Sequence, residues 1–290
     1  GTSGACEEVL LCLNKHPDSA ALSVAACNAI GSMSSSAEFN QQRFGKAGAC
    51  ETIVHVLQQF SDSTLICKWA CRAVHRLAEG NAAQRKLFAD CGACSILIKV
   101  FCLHTSSDEV CEQCCLAISI LTDGSSANAE IVVNDGACAC LVAALMIHIK
   151  LPLVVVSACK MICALSTTTN EELGNAGVVE GLLTAFREHL SRSDYVSYWC
   201  CRAIACLAVH PKNQSVLGAY QACEQVSTAL STYVHSESIF AKVLISTGSM
   251  APNHYLDVAI WSSNAISQLS LNNSTNSVRF GELGACESLV

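Results

Sequence analysis

Apolar residues fall at helical spacing along nearly the whole chain. In the stretch Ala49 to Phe60, Ile53, Val54 and Leu57 lie at i, i+1 and i+4, which makes one apolar stripe on a helix. The polar triplet Ser61-Asp62-Ser63 follows and supplies a cap for a next helix, Thr64 to Ala78, rich in Ala, Cys, Val and Leu. Before this pair, Glu38 to Lys46 reads as a shorter helix that stops at a glycine turn. No stretch alternates with period two between turn signals, so the chain is expected to be all-α.

The same pattern returns. Gly-Ala-Cys begins at Gly4, Gly48, Gly92 and Gly136, each 44 residues after the last. Altered copies follow at Gly177, Gln221 and Gly284. An amide precedes the marker by eight residues at Asn40, Gln84, Asn128, Asn213 and Asn276, and by seven at Asn170. An apolar residue precedes it by four: Phe44, Phe88, Val132, Leu173, Leu217 and Phe280. Repeats of this length mean stacked supersecondary units that bury their faces on their neighbours. The wider step to Gly284 places an insertion at about 236–254, in the loop before a third helix. The chain begins at a second helix and stops midway through another, so about six repeats are expected over 1–290, as a segment truncated at both ends of a longer array.

A three-helix unit of this length, with an amide before an apolar-Gly ending and an alanine- and leucine-rich third helix, resembles the armadillo repeat. HEAT repeats are similar in length but lack the short first helix, and are the second choice. The resemblance implies a right-handed superhelical solenoid whose third helices line a concave groove that binds extended peptides or protein partners. Aligned on it, the groove positions are Asn28, Arg72, Leu116, Lys160, Arg202 and Asn264. One turn earlier stand Val24, Lys68, Glu112, Val156, Tyr198 and Ile260; one turn later stand Ser32, Arg76, Ile120, Ala164, Cys206 and Gln268. Importin-like members of the family hold basic peptides with a ladder of Trp and Asn. That pairing is absent here, and Arg72 with Arg76 would repel a basic ligand.

Charge sharpens this. The strip carries a net +4 on a chain of net −7, which leaves −11 elsewhere. A positive strip on a negative molecule steers an acidic partner. The partner site is therefore expected at Lys68, Arg72, Arg76, Lys160, Tyr198, Trp199, Arg202, Asn28 and Asn264. Trp69, Trp199 and Trp261 each lie three residues before a groove position, as packing at the groove edge or as binding anchors.

Composition adds limits. Apolar residues make up 51% and charged residues 14%, which excludes intrinsic disorder. The acidic balance argues against nucleic acid as a partner. The apolar run Ala137 to Cys159 is long enough to suggest a membrane span. Lys150 and Pro152 interrupt it, so it reads as two buried helices and not as a membrane insertion.

Of 21 cysteines, eleven keep repeat register: Cys6, Cys50, Cys94, Cys138, Cys223 and Cys286 in one set, Cys27, Cys71, Cys115, Cys159 and Cys201 in the other. Recurrence favours small buried hydrophobes, no stabilising disulfide, and a reducing cytoplasmic location, with the nucleus second. Cys91-x-x-Cys94 and Cys111-x-x-Cys114 have ligand spacing but no matched second pair, so no metal and no cofactor is expected. His16, His104, His148 and His189 each stand twelve residues after a marker, where a His can cap the helix end. No GxGxxG, Walker loop, HExxH or GxSxG occurs, and no catalytic residue is expected. The functional reading is a non-enzymatic interaction scaffold. A regulator of a small GTPase or cytoskeletal protein is the alternative, and a thiol- or metal-dependent redox protein comes last.

Overall fold

The computed structural model describes residues 4–35, 37–233 and 254–288, and among them there is no strand. The helices are α1 (Ala5–Lys15), α2 (Ala20–Ser34), α3 (Glu38–Lys46), α4 (Ala49–Gln59), α5 (Thr64–Ala78), α6 (Ala82–Asp90), α7 (Ala93–Leu103), α8 (Asp108–Thr122), α9 (Ser126–Asn134) and α10 (Ala137–Ile147). They continue with α11 (Pro152–Leu165), α12 (Asn170–Asn175), α13 (Val178–His189), α14 (Asp194–Leu207), α15 (Pro211–Ala219), α16 (222–233), α17 (His254–Ser270), α18 (Ser274–Glu282) and α19 (Ala285–Ser288). The expected short, second and third helices of the unit are α3, α4 and α5. The insertion expected at 236–254 lies outside the described residues, except for His254 at the start of α17.

Two compact units form, Gly1–Ala144 and Leu145–Val290. In the first, the third helices α2, α5 and α8 pack side by side; in the second, α11, α14 and α17 do the same. Serines cap α2, α5, α8 and α14, each accepting a backbone N–H three residues on, as Ser63 does from Ile66. Pro152 opens α11 instead, where its missing N–H costs nothing. The apolar run from Ala137 is thus split between α10 and α11. Among the described residues no single helix is long and apolar enough to cross a membrane, though α9 and α10, bent at 72°, pass that test as a pair by length and composition alone.

The marker glycines adopt the left-handed conformation, with φ from 68° to 99° at Gly4, Gly48, Gly92, Gly136, Gly177 and Gly284. Gln221 holds the same corner at φ 67°, a conformation that disfavours a side chain.

The recurrent amides close the repeats. Asn40, Asn128 and Asn276 donate to the carbonyl seven residues back, at Met33, Leu121 and Leu269, satisfying an orphan at the end of a third helix. Amides also reach the previous repeat: Asn213 donates to the Asn170 carbonyl at 2.8 Å, and Asn276 to that of Gln214 at 3.1 Å. These amides sit against helical glycines. A Cβ at Gly45 would lie 1.9 Å from Gln84 Nε2, at Gly174 1.8 Å from Asn213 Oδ1, and at Gly218 2.2 Å from Asn276 Oδ1.

Every cysteine of the two registered sets whose side chain is described is buried and outside any disulfide. They meet across the seam with a fixed offset. Cys71 Sγ lies 3.6 Å from Cys114 and Cys159 Sγ lies 3.8 Å from Cys200, while Cys201 Sγ faces Ser262 Oγ at 3.4 Å. The expectation of no disulfide is nevertheless wrong. Cys102 of α7 and Cys140 of α10 are bonded, with Cα atoms 5.5 Å apart. The expectation compared equivalent positions, which stand a repeat apart. Cys102 is ten residues past its marker and Cys140 four past the next, and these unlike positions meet on neighbouring second helices.

Two of the four histidines, His104 and His189, act differently from expectation. His104 Nε2 bonds the Ser61 carbonyl at 2.7 Å and His189 Nε2 the Ile149 carbonyl at 2.8 Å, each in the loop of the preceding repeat. The side chain ties two repeats together and does not cap its own helix.

Candidate functional site

The groove positions stand on the outward side of the third helices. All of those anticipated are half-buried or exposed except Val156, which is 4% exposed and belongs to the core. The two units carry separate clusters of cations and aromatic rings.

In the first unit, Trp69 of α5 carries two cations: Lys68 Nζ lies 5.0 Å and the Arg72 guanidinium carbon 5.3 Å from its ring centre. Lys68 also pairs with Glu109 of α8, and Arg76 pairs with Glu79 at 2.8 Å. Lys68 and Arg76 therefore already have carboxylates. Of the expected basic triad only Arg72 keeps its charge without an acidic partner among the described residues. Asn28 takes no part in this cluster; its Oδ1 accepts from the Ser32 hydroxyl at 3.4 Å.

In the second unit the cluster is larger. Trp199 of α14 carries Lys160 of α11 at 5.0 Å and Arg202 of its own helix at 4.9 Å. Arg202 also stacks on Trp261 of α17 at 5.1 Å, so its guanidinium sits between two indoles. Tyr198 packs edge-on to Trp199 at 5.1 Å, and its hydroxyl accepts from Arg202 Nη1 at 3.3 Å. No carboxylate pairs with Lys160 or Arg202 among the described residues, and Arg202 Nε and Trp199 Nε1 have no acceptor. Asn264 lies exposed on α17, one turn beyond Trp261. Thus Lys160, Tyr198, Trp199 and Arg202 come together; Trp261 joins them, and it was visible in the sequence only through its register.

Such a stack is worth about 0.5–1 kcal/mol per cation at a partly exposed site. Its larger effect is to hold long side chains in place, so that less rotamer entropy is lost when a ligand binds.

Beside this cluster lie two thiols. Cys163 of α11 stands three residues after Lys160, and Cys206 of α14 four after Arg202. Both are partly exposed. The neighbouring Cys163 thiol, and less strongly the charge of Arg202, lower Cys206 below the ordinary thiol value against the effect of burial, while the Ser166 hydroxyl donates to the Cys163 carbonyl at 3.0 Å. Sequence reasoning placed Cys206 on the strip but missed Cys163, whose signal was its spacing from Lys160. No group of three or more His, Cys, Asp or Glu able to hold a metal ion occurs among the described residues.

No family model matches the sequence, and no curated protein matches it. Solved structures do. A designed armadillo repeat protein has a TM-score of 0.70 at 21% identity, over 91% of this chain and 100% of its own. A second, solved in complex with the peptide (KR)4, has a TM-score of 0.67 at 21% identity, over 93% and 100%. An engineered protein reaches 0.71 at 18% identity, over 92% and 98%. With the three-helix units described above, these likenesses give the chain the armadillo-like repeat fold.

Proposed function

We propose that the chain is a non-enzymatic protein-interaction scaffold that takes an acidic or mixed peptide along its third helices. The observation that carries this reading is Arg202. Two tryptophans clamp it, Lys160 shares one of their rings, and neither cation has a carboxylate partner among the described residues. A guanidinium fixed in this way offers a planar fork suited to a carboxylate, and tyrosine and tryptophan beside it supply apolar contact. Two of the similar solved structures support peptide binding as the use of the fold: one holds the basic peptide (KR)4, and another is a computationally designed armadillo repeat protein for modular peptide recognition. Cations in place of a neutral ladder call for a ligand of opposite charge to (KR)4. The prevalence of unbonded thiols favours a reducing compartment.

The test is binding of fluorescent (Glu-Asp)4 and (Lys-Arg)4 peptides, followed by anisotropy at two salt concentrations. The acidic peptide should bind more tightly, and Arg202→Glu should weaken it at least tenfold, about 1.4 kcal/mol. Arg202→Lys keeps the charge without the fork and should fall between. Reversal at position 76 is a poor choice, because a carboxylate there would face Glu79. Equal binding of both peptides, or an Arg202→Glu protein that is folded and binds as wild type, would overturn the reading.

A further inference from the structure

We infer that the Cys102–Cys140 bridge is a thiol-exchange site. A small anionic thiol of the glutathione class opens it by attack on Cys102 Sγ, and the corresponding disulfide closes it again, while the chain stays folded. The site joins the second helices α7 and α10, so its test is separate from that of peptide binding along the third helices.

The two ends of the bond differ in access. Cys102 is exposed and Cys140 is 5% exposed, so a thiol in solution meets Cys102 first. Exposed disulfides are the labile ones. The two ends also differ in helix position. Cys140 is the fourth residue of α10, in the turn that carries the positive end of the helix dipole, and Cys102 is next to last in α7. A thiolate is favoured at the first place and disfavoured at the second, so Cys140 is the better leaving group. Access and helix position thus select one direction: attack at Cys102, departure of Cys140. The joint itself does not need the bond. Cys102 stands ten residues after its marker glycine and Cys140 four after the next. In the joint between α1 and α4 the same two places are Asn14 and Thr52, and a single hydrogen bond links them, from Thr52 Oγ1 to Asn14 Oδ1 at 3.1 Å. Two thiols can occupy those places without unstacking α7 from α10. Lys99 is exposed one turn before Cys102 on the same side of α7 and draws an anionic thiol towards it.

The chemistry balances with a thiol RSH such as glutathione as reductant. RSH gives its proton to solvent, and RS⁻ attacks Cys102 Sγ. The Cys102–Cys140 bond breaks, a Cys102–SR bond forms, and the Cys140 thiolate leaves and takes a proton from water. A second RS⁻ attacks the outer sulfur of the Cys102–SR bond, RSSR departs, and the Cys102 thiolate is released and protonated. The protein disulfide is reduced to two thiols, and two RSH are oxidised to one RSSR. Closure is the reverse, with RSSR as oxidant.

The experiment holds the folded chain at pH 7 in glutathione buffers of graded reduced-to-oxidised ratio. Each sample is quenched in acid, its free thiols are blocked, and its peptides are mapped by mass spectrometry, with circular dichroism recorded beforehand. The Cys102–Cys140 bridge should open as the ratio is raised and close as it is lowered, with the helical signal unchanged. In Cys140→Ser, oxidised glutathione should leave an adduct on Cys102. In Cys102→Ser, an adduct on Cys140 should form about tenfold more slowly, because that sulfur is covered. Lys99→Glu should slow opening by reduced glutathione about threefold more than opening by 2-mercaptoethanol, which lacks the carboxylates, at low salt. Four results would each overturn the inference: Cys102 and Cys140 left unbridged in the folded chain by oxidised glutathione, a bridge that opens only when the helical signal is lost, adducts that form on Cys140 as fast as on Cys102, or equal slowing of the two thiols by Lys99→Glu. The first two are read on the wild-type chain, so a variant that folds poorly leaves the test intact.

Discussion

Replacing Gly174 by alanine should destabilise the protein, although alanine is the better helix former. Gly174 lies in α12, and a Cβ there would stand 1.8 Å from Asn213 Oδ1 and 2.7 Å from its Cγ. Asn213 has no room to swing away. It is 2% exposed, and its amide donates to the Asn170 carbonyl at 2.8 Å and to Asn170 Oδ1 at 2.9 Å. Moving it forfeits two hydrogen bonds at about 1 kcal/mol each and leaves a buried amide unsatisfied, for about 3 kcal/mol in all. Alanine recovers about 1 kcal/mol of backbone entropy. The net loss is about 2 kcal/mol, or about 3 °C in the melting midpoint of a chain this size. Gly281 is the control, for it occupies the same place relative to its marker and a Cβ there meets nothing within 4 Å. Gly281→Ala should therefore raise stability by about 0.5–1 kcal/mol. Thermal and urea melts of both, with Asn213→Ala alone and combined with Gly174→Ala, complete the set. The double variant should cost less than the two singles together, by about 1 kcal/mol or more. If both glycine substitutions shift stability in the same direction, the amide–glycine contact does not govern the joint.

Three further outcomes follow from the structure. Opening Cys102–Cys140, by reductant or by Cys102→Ser, should lower stability by up to about 4 kcal/mol by the chain-entropy estimate for a closed loop of 38 residues; in reducing buffer Cys102→Ser and wild type should melt together. Gln221→Gly should stabilise the protein by about 1 kcal/mol in the same melts, because Gln221 holds φ 67° where the other marker corners use glycine. Stability should fall steeply in alkali: burial raises Cys27, Cys67, Cys111 and Cys201 to about 12 from 9.0, so their contribution is whole below pH 9 and is lost as pH rises from 9 towards 12, by about 1.4 kcal/mol per pH unit for each, and an equal melting midpoint at pH 8 and pH 10 would refute it.

The sequence made the unit legible because its signals are local. The apolar stripe, the polar triplet and the glycine corner define α3, α4 and α5 to within a residue, since each acts within one helix or turn. What it hid are contacts between repeats. Lys68 could be seen on the outward face, but Glu109, which neutralises it, stands 41 residues on, in another helix. His104 looked like a cap because its own helix end was the only carbonyl source in view, while its acceptor is the Ser61 carbonyl, 43 residues back.

These misses share a cause. Alignment of a repeat sequence finds equivalent positions, whereas stacking brings together positions that are not equivalent. Cys71 meets Cys114 and not Cys115; Cys102, ten past its marker, meets Cys140, four past the next. The offset is constant along the third helices, where Cys159 with Cys200 and Cys201 with Ser262 repeat it. Once known from one seam it assigns the others. The glycine three residues before the marker and the amide eight before the next one are such a pair: Gly45 with Gln84, Gly174 with Asn213, Gly218 with Asn276. Both residues recur in register, so their co-occurrence was a usable signal. A small residue in one repeat and a buried amide in the next are what a close joint requires, because the amide must reach its backbone acceptors across the seam with no Cβ in the way.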